Sequence, residues 1–149
     1  MSRITPLSLE QVTDSTRALL EGVQKKIGFL PNVFPTLAHA PAVLAAYLQH
    51  SVALGKTSLS ATEKEAIFLA TSQVNGCDYC LSAHTYLGLN LAKISPEEIA
   101  QNRKGASGDA KANAAVQFAA KVVRERGHVA DADIKAVRDA GYSDGQIVE

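Results

Sequence analysis

The chain has 149 residues, 15 Lys plus Arg against 15 Asp plus Glu for a formal charge of zero, and 46% hydrophobic residues. That length makes one domain, residues 1–149, the default and lets about 70% of the unfolded surface be buried, so no staple is required, while balanced charge excludes a disordered chain and a nucleic-acid or anionic-membrane partner. The 24 alanines, the absence of Trp and only eight Phe plus Tyr favour helices and leave little from which to build strands.

The start and stop signals fall in chain order. Met1 to Ser8 lacks the apolar core of a signal peptide. Ser8 with Gln11 makes a capping box, and Leu9, Val12, Thr16, Leu19, Leu20, Val23 and Ile27 follow at helical spacing up to Gly28, which predicts one amphipathic helix of about five turns. Pro31, Pro35 and Pro41 allow only a short helical piece around Asn32 to His39 before Pro41 opens the next helix, whose Val43, Tyr47, Ser51 and Leu54 form a ridge ending at Gly55. Its apolar run, Ala42 to Leu48, is far short of the about 20 residues that cross a bilayer, so the protein is expected to be soluble and cytoplasmic.

Ser60 with Glu63 is a second capping box, opening a helix to about Asn75 that Gly76 stops. A further helix is expected from Cys77 to Tyr86, stopped by Gly88, and another from Ser95, Pro96 and Glu98 to Gly105. After a loop at Gly105 to Asp109, Asp109 to Arg126 reads as a helix with a small-residue side, Ala112, Ala115, Val116, Ala119 and Val123. Asp131 to Ala140 is short, and the Ser143 to Gln146 box starts a helix that the chain end cuts short, so the last helix is expected to be incomplete. The predicted fold is an all-α compact bundle of seven to eight helices.

Chemistry concentrates in one stretch. The two cysteines, Cys77 and Cys80, are separated by two residues, and a bridge closing so short a loop removes little entropy, so redox or metal chemistry explains the pair better than stapling. Both lie where a helix opens, and unsatisfied N–H groups there favour a thiolate. His84 falls four residues after Cys80, on the same helix face, where an imidazole can move a proton near neutral pH. Glu65 shares its face with Ala61, Phe68, Leu69 and Ser72, a poor place for a purely solvating carboxylate. His39, His50 and His128 have no companion ligand or thiol at useful spacing, and Tyr47, Tyr86 and Phe118 read as core. By helix-terminus physics the cysteine nearer the N-terminus, Cys77, is the more acidic, so the residues alone leave open which sulfur attacks.

Glu65, eleven residues, Cys77-x-x-Cys80, three residues and His84 resemble the signature of the alkylhydroperoxidase D family, within the carboxymuconolactone decarboxylase-like superfamily. The segments Gly28-Phe29-Leu30-Pro31-Asn32-Val33 and Gly141-Tyr142-Ser143-Asp144 also look like its short peroxidase-related members. The resemblance implies a hydroperoxide reductase in which Cys80 attacks the peroxide, Cys77 resolves the sulfenic acid as a disulfide, and Glu65 and His84 relay protons, without cofactor or metal. It implies an organic hydroperoxide or hydrogen peroxide as substrate and a dithiol, such as a lipoyl protein, as reductant. The best-known members carry a histidine just before the second cysteine; Tyr79 stands there in this chain, leaving the relay one group shorter.

Two other functions compete. A zinc-binding module could draw on two cysteines, one histidine and one carboxylate, but nearly all the ligands would come from one helical turn. Decarboxylase or lactone chemistry, found elsewhere in the superfamily, has no need of the C-x-x-C pair. The short last helix and the apolar surfaces at Ala112 to Val123 and Val43 to Leu48 predict a homo-oligomer, and the family resemblance, which implies closed rings or dimers, puts a trimer or hexamer before a dimer.

Overall fold

The computed structural model describes residues 3–149, which form nine α-helices and one 3-10 turn, with no strand among the described residues. Among these residues, no helix is long and apolar enough to cross a membrane. The chain divides into two compact units, one running to Lys56 and the other from Thr57 to Glu149.

The first unit holds the 3-10 turn Leu9–Gln11 and helices α1 (Asp14–Ile27), α2 (Val33–Leu37) and α3 (Pro41–Leu54). The single long helix expected from Leu9 is broken. Gln11 accepts the Ser8 N–H at 2.8 Å, closing a 3-10 turn, but Thr13 is a competing cap whose hydroxyl accepts the Thr16 N–H, and Asp14 adds a negative charge where the new helix begins. Arg17 reaches back from α1 to the Leu9 carbonyl at 3.0 Å and holds the two pieces together. Leu20, Ala38 and Leu44 are the buried centre, surrounded by side chains that include Leu19, Phe34 and Leu48. The ridge expected on α3 faces outward: Val43, Tyr47 and Ser51 are exposed and Leu44 is the buried position.

The second unit comprises α4 (Ala61–Val74), α5 (Asp78–Asn90), α6 (Pro96–Arg103), α7 (Ala110–Arg124), α8 (Asp131–Asp139) and α9 (Asp144–Val148). Helix α4 is its hub, in contact with α5, α6 and α7. Ala66 and Ala70 of α4 pack against Val116 and Ala120 of α7, and such small side chains let two helix axes approach closely. On the small-residue side of α7, Ala112, Ala115 and Val116 are buried within the chain together with Ala120, while Ala119 and Val123 are half-buried. Toward α6, Leu69 packs with Ile94 and Ile99.

One predicted boundary moves, and one expected box contact is replaced. Gly88 does not stop α5; it lies inside the helix, buried, where a Cβ would come within 2.7 Å of Ile99 Cδ1 and the end of that side chain would have to shift. Glu98 follows the Ser95 cap as expected, but its carboxylate turns to the 105–109 loop, accepting from Ser107 Oγ at 2.6 Å, Asn102 Nδ2 at 2.8 Å and the Gly108 N–H at 3.0 Å.

The α4 start is tied to the end of the chain. Ser60 and Glu63 close the expected box, and the buried Tyr142 hydroxyl donates to the second Glu63 oxygen at 2.7 Å. Lys111 lies over the Tyr142 ring, 4.5 Å from its centroid. Burial pushes the Glu63 carboxyl up, but the hydrogen bonds from Ser60 and Tyr142 outweigh it and hold the group below the usual carboxylate range. Tyr142→Phe should therefore cost about 1–2 kcal/mol at neutral pH, read as a lower thermal midpoint. Because the folded-state pKa of Glu63 is depressed, its stabilisation is present above the unfolded carboxylate pKa and lost as pH falls through the folded value. The gap between wild type and Tyr142→Phe should accordingly narrow in acid, which melting curves from pH 7 down to about 3 would measure.

Candidate active site

Glycine terminates α4 in a way that places the first cysteine. Gly76 adopts φ 62°, the left-handed region that costs glycine nothing, and the Gly76 and Cys77 N–H groups return to the carbonyls of Gln73 and Ser72 at 3.1 and 3.0 Å. These two bonds form a Schellman motif. Cys77 is therefore the residue that finishes α4, and it is also the cap of α5: its sulfur accepts the Cys80 N–H at 3.2 Å. Cys77 and Cys80 are joined as a disulfide with 5.3 Å between their Cα atoms. Each is half-buried, and both lie in the opening turn of α5, where the remaining N–H groups and the helix dipole favour negative charge on sulfur after reduction.

One turn along α5 from Cys80, His84 meets Glu65. Its Nδ1 lies 2.8 Å from Glu65 Oε2, joining α5 to α4, and the His84 and Glu65 side chains retain 22% and 15% exposure. An ionised carboxylate can only accept a hydrogen bond, so the proton of this bond is assigned to Nδ1. That leaves Nε2 of a neutral imidazole as the basic nitrogen. The Phe68 ring lies against the imidazole, with centroids 4.4 Å apart and planes inclined by 14°.

The residues singled out by spacing are thus brought into two linked pairs on adjoining helices, Cys77 with Cys80 and Glu65 with His84. Phe68 is the partner that spacing did not single out, although it lies one turn after Glu65 on α4. Among the described residues, no cluster of three or more His, Cys, Asp or Glu is placed to hold a metal ion, and the four-ligand zinc set is not assembled. Tyr79, at the position before the second cysteine, is exposed, and Tyr86 is exposed as well, contrary to the core role expected for it. Tyr47 of α3 departs from its expected core role in the same way, whereas Phe118 does pack on the buried cluster of Leu59, Ala115, Val137 and Tyr142. His39 is engaged away from any thiol, its Nε2 2.9 Å from the Thr5 carbonyl oxygen.

An all-α unit presenting a C-x-x-C pair at a helix start, beside a Glu–His pair, defines an alkylhydroperoxidase D-like protein. The carboxymuconolactone decarboxylase family model matches residues 39–125, and the chain belongs to that family. Among solved structures it is similar to an alkylhydroperoxidase AhpD core, an uncharacterised peroxidase-related protein from Ralstonia eutropha JMP134, at 31% identity and TM-score 0.85, covering 99% of this chain and 82% of that one. A peroxidase-related protein from Silicibacter sp. TM1040 is similar at 30% identity and TM-score 0.84, with 99% and 81% covered. The debrominase Bmp8 in its apo form shares the fold, at 19% identity and TM-score 0.81, with 99% and 80% covered. No curated protein matches the sequence.

The pairing of the two sulfurs has a direct check. Protein purified without reductant should resist alkylation at Cys77 and Cys80, and after a dithiol treatment both should be labelled, as intact-mass measurement would show.

Proposed function

We propose that the protein is a thiol-dependent hydroperoxide reductase in which Cys80 attacks the peroxide, Cys77 resolves, and the Glu65–His84 pair moves the proton. The observation that carries this reading is the 2.8 Å bond between His84 and Glu65, one helical turn beyond a redox-capable pair. In the reduced protein the Cys80 thiolate attacks one oxygen of the hydroperoxide O–O bond; that bond breaks, sulfur is oxidised to sulfenic acid, and the alkoxide leaves and takes up a proton. His84, protonated at Nε2 by the Cys80 thiol, supplies that proton, while Glu65 at Nδ1 holds the tautomer and offsets the positive charge of the imidazolium. The Cys77 thiol then displaces hydroxide from the sulfenic sulfur, forming the disulfide and water. An external dithiol, for which a lipoyl group is a suitable class, reduces the disulfide by two exchange steps and is itself oxidised.

The Cys77 position suits a resolving and leaving sulfur. The Cys80 N–H that it accepts remains available to stabilise the charge that develops on Cys77 when the disulfide opens. Family membership and similarity to peroxidase-related proteins support the same reading. The exposed Val43, Tyr47 and Val52 of α3 support assembly into a homo-oligomer, for which light scattering is the test.

The decisive experiment is consumption of an organic hydroperoxide with a dithiol donor. Cys80→Ser should abolish turnover; Cys77→Ser should stop disulfide formation and leave a sulfenic acid that a dimedone-type reagent traps. Glu65→Gln keeps the shape but removes the charge, and should lower the rate by about 100-fold or more with little change in melting temperature. Unchanged turnover in both cysteine variants would sink the peroxidase reading.

A further inference from the structure

We propose that Phe68 is a positioning residue for His84, a role that rests on the hydroperoxide reductase reading above and adds to it a residue that does not itself touch the reacting atoms. A hydrogen bond at Nδ1 places one atom of the imidazole but not its plane, because the terminal torsion of histidine is broad and the ring can pivot about the bonded nitrogen. The pivot is restrained by Phe68, whose ring lies 4.4 Å from the imidazole centroid and within 14° of parallel. Glu65 and Phe68 come from the same turn of α4, three residues apart, so one rigid element supplies both the carboxylate that fixes Nδ1 and the surface that fixes the plane. Together they determine where Nε2, the nitrogen assigned to proton transfer, points from α5.

Core packing does not explain this phenyl ring. Phe68 is 38% exposed and lies outside the buried hydrophobic clusters, whereas Leu69 beside it is fully buried. An aliphatic side chain of similar size would cover the same area of α4 but could not present a flat face to the imidazole. Proton transfer is sensitive to such placement, since small displacements of a catalytic group cost rate steeply.

Three variants in the otherwise intact protein separate positioning from mere support: Phe68→Tyr keeps the planar ring, while Phe68→Leu and Phe68→Met keep the apolar bulk without it. Two readouts are needed, steady-state hydroperoxide turnover and the His84 ring nitrogens in long-range proton–nitrogen spectra of histidine-labelled protein, assigned by their loss in His84→Gln. Wild type and Phe68→Tyr should agree within about twofold in rate and show a single Nδ1–H tautomer. Phe68→Leu and Phe68→Met should be slower by about tenfold, less than the loss expected on removing the proton-transfer group itself, and should show averaged ring nitrogens. Wild-type rates in the aliphatic variants would overturn the proposal, as would slower variants with an unaltered His84 spectrum or a failure of tyrosine to restore the rate. Should the wild type consume no hydroperoxide, the peroxidase reading fails on its own, and the spectrum still decides on Phe68: averaging in the aliphatic variants and its absence in Phe68→Tyr supports positioning, and no change overturns it.

Discussion

The close packing of α4 against its neighbours is the constraint on which the second unit depends. Ala66 and Ala70 bring α4 and α7 together, and Leu69 fills the space toward Ile94 and Ile99. A helix held on those sides has little freedom to rotate, since a turn of even a few tens of degrees would lift Leu69 or Ala70 out of close-packed surroundings. Its remaining edge carries Glu65 and Phe68, and that edge faces the imidazole of α5. Orientation of the histidine is thereby inherited from the core, with small buried side chains setting the position of polar ones at the surface.

The cysteine pair is placed by backbone chemistry. Gly76 ends α4, and Cys77 completes that ending with its N–H while starting α5 with its sulfur. Only Asn75, Gly76 and Cys77 lie between the two helices, so the cysteine pair is held to the end of α4 by hydrogen bonds rather than by a long loop. A flexible connection would let the sulfurs drift from His84, and proximity of thiol to base is what the proposed chemistry uses.

Where sequence patterns misled or stopped short, a competing cap or a contact between helices decided the outcome. The Ser8 box was genuine but closed only a 3-10 turn, because Thr13 could cap as well and Asp14 followed it. Gly88 resembled a stop signal, yet it lies within α5 with the end of the Ile99 side chain against it, a contact visible only in the folded chain. Helical spacing on α3 identified a ridge without saying which ridge was inside, since that helix is apolar on several sides and Leu44 alone is fully enclosed.

By itself the sequence determined the helical class, most helix starts through Ser60, Ser95, Asp109 and Ser143, and the four candidate residues Glu65, Cys77, Cys80 and His84. These are local facts: caps, glycine conformations and register along one helix act over a few residues and leave their mark in spacing. Only the tertiary structure decided that Glu65 reaches His84 across nineteen positions, that Phe68 lies against the imidazole, and that Tyr142 bonds to Glu63 seventy-nine positions away. Contacts between helices depend on which faces meet and how closely, and that follows from side-chain volumes summed over the whole core rather than from any one residue's neighbours in the chain.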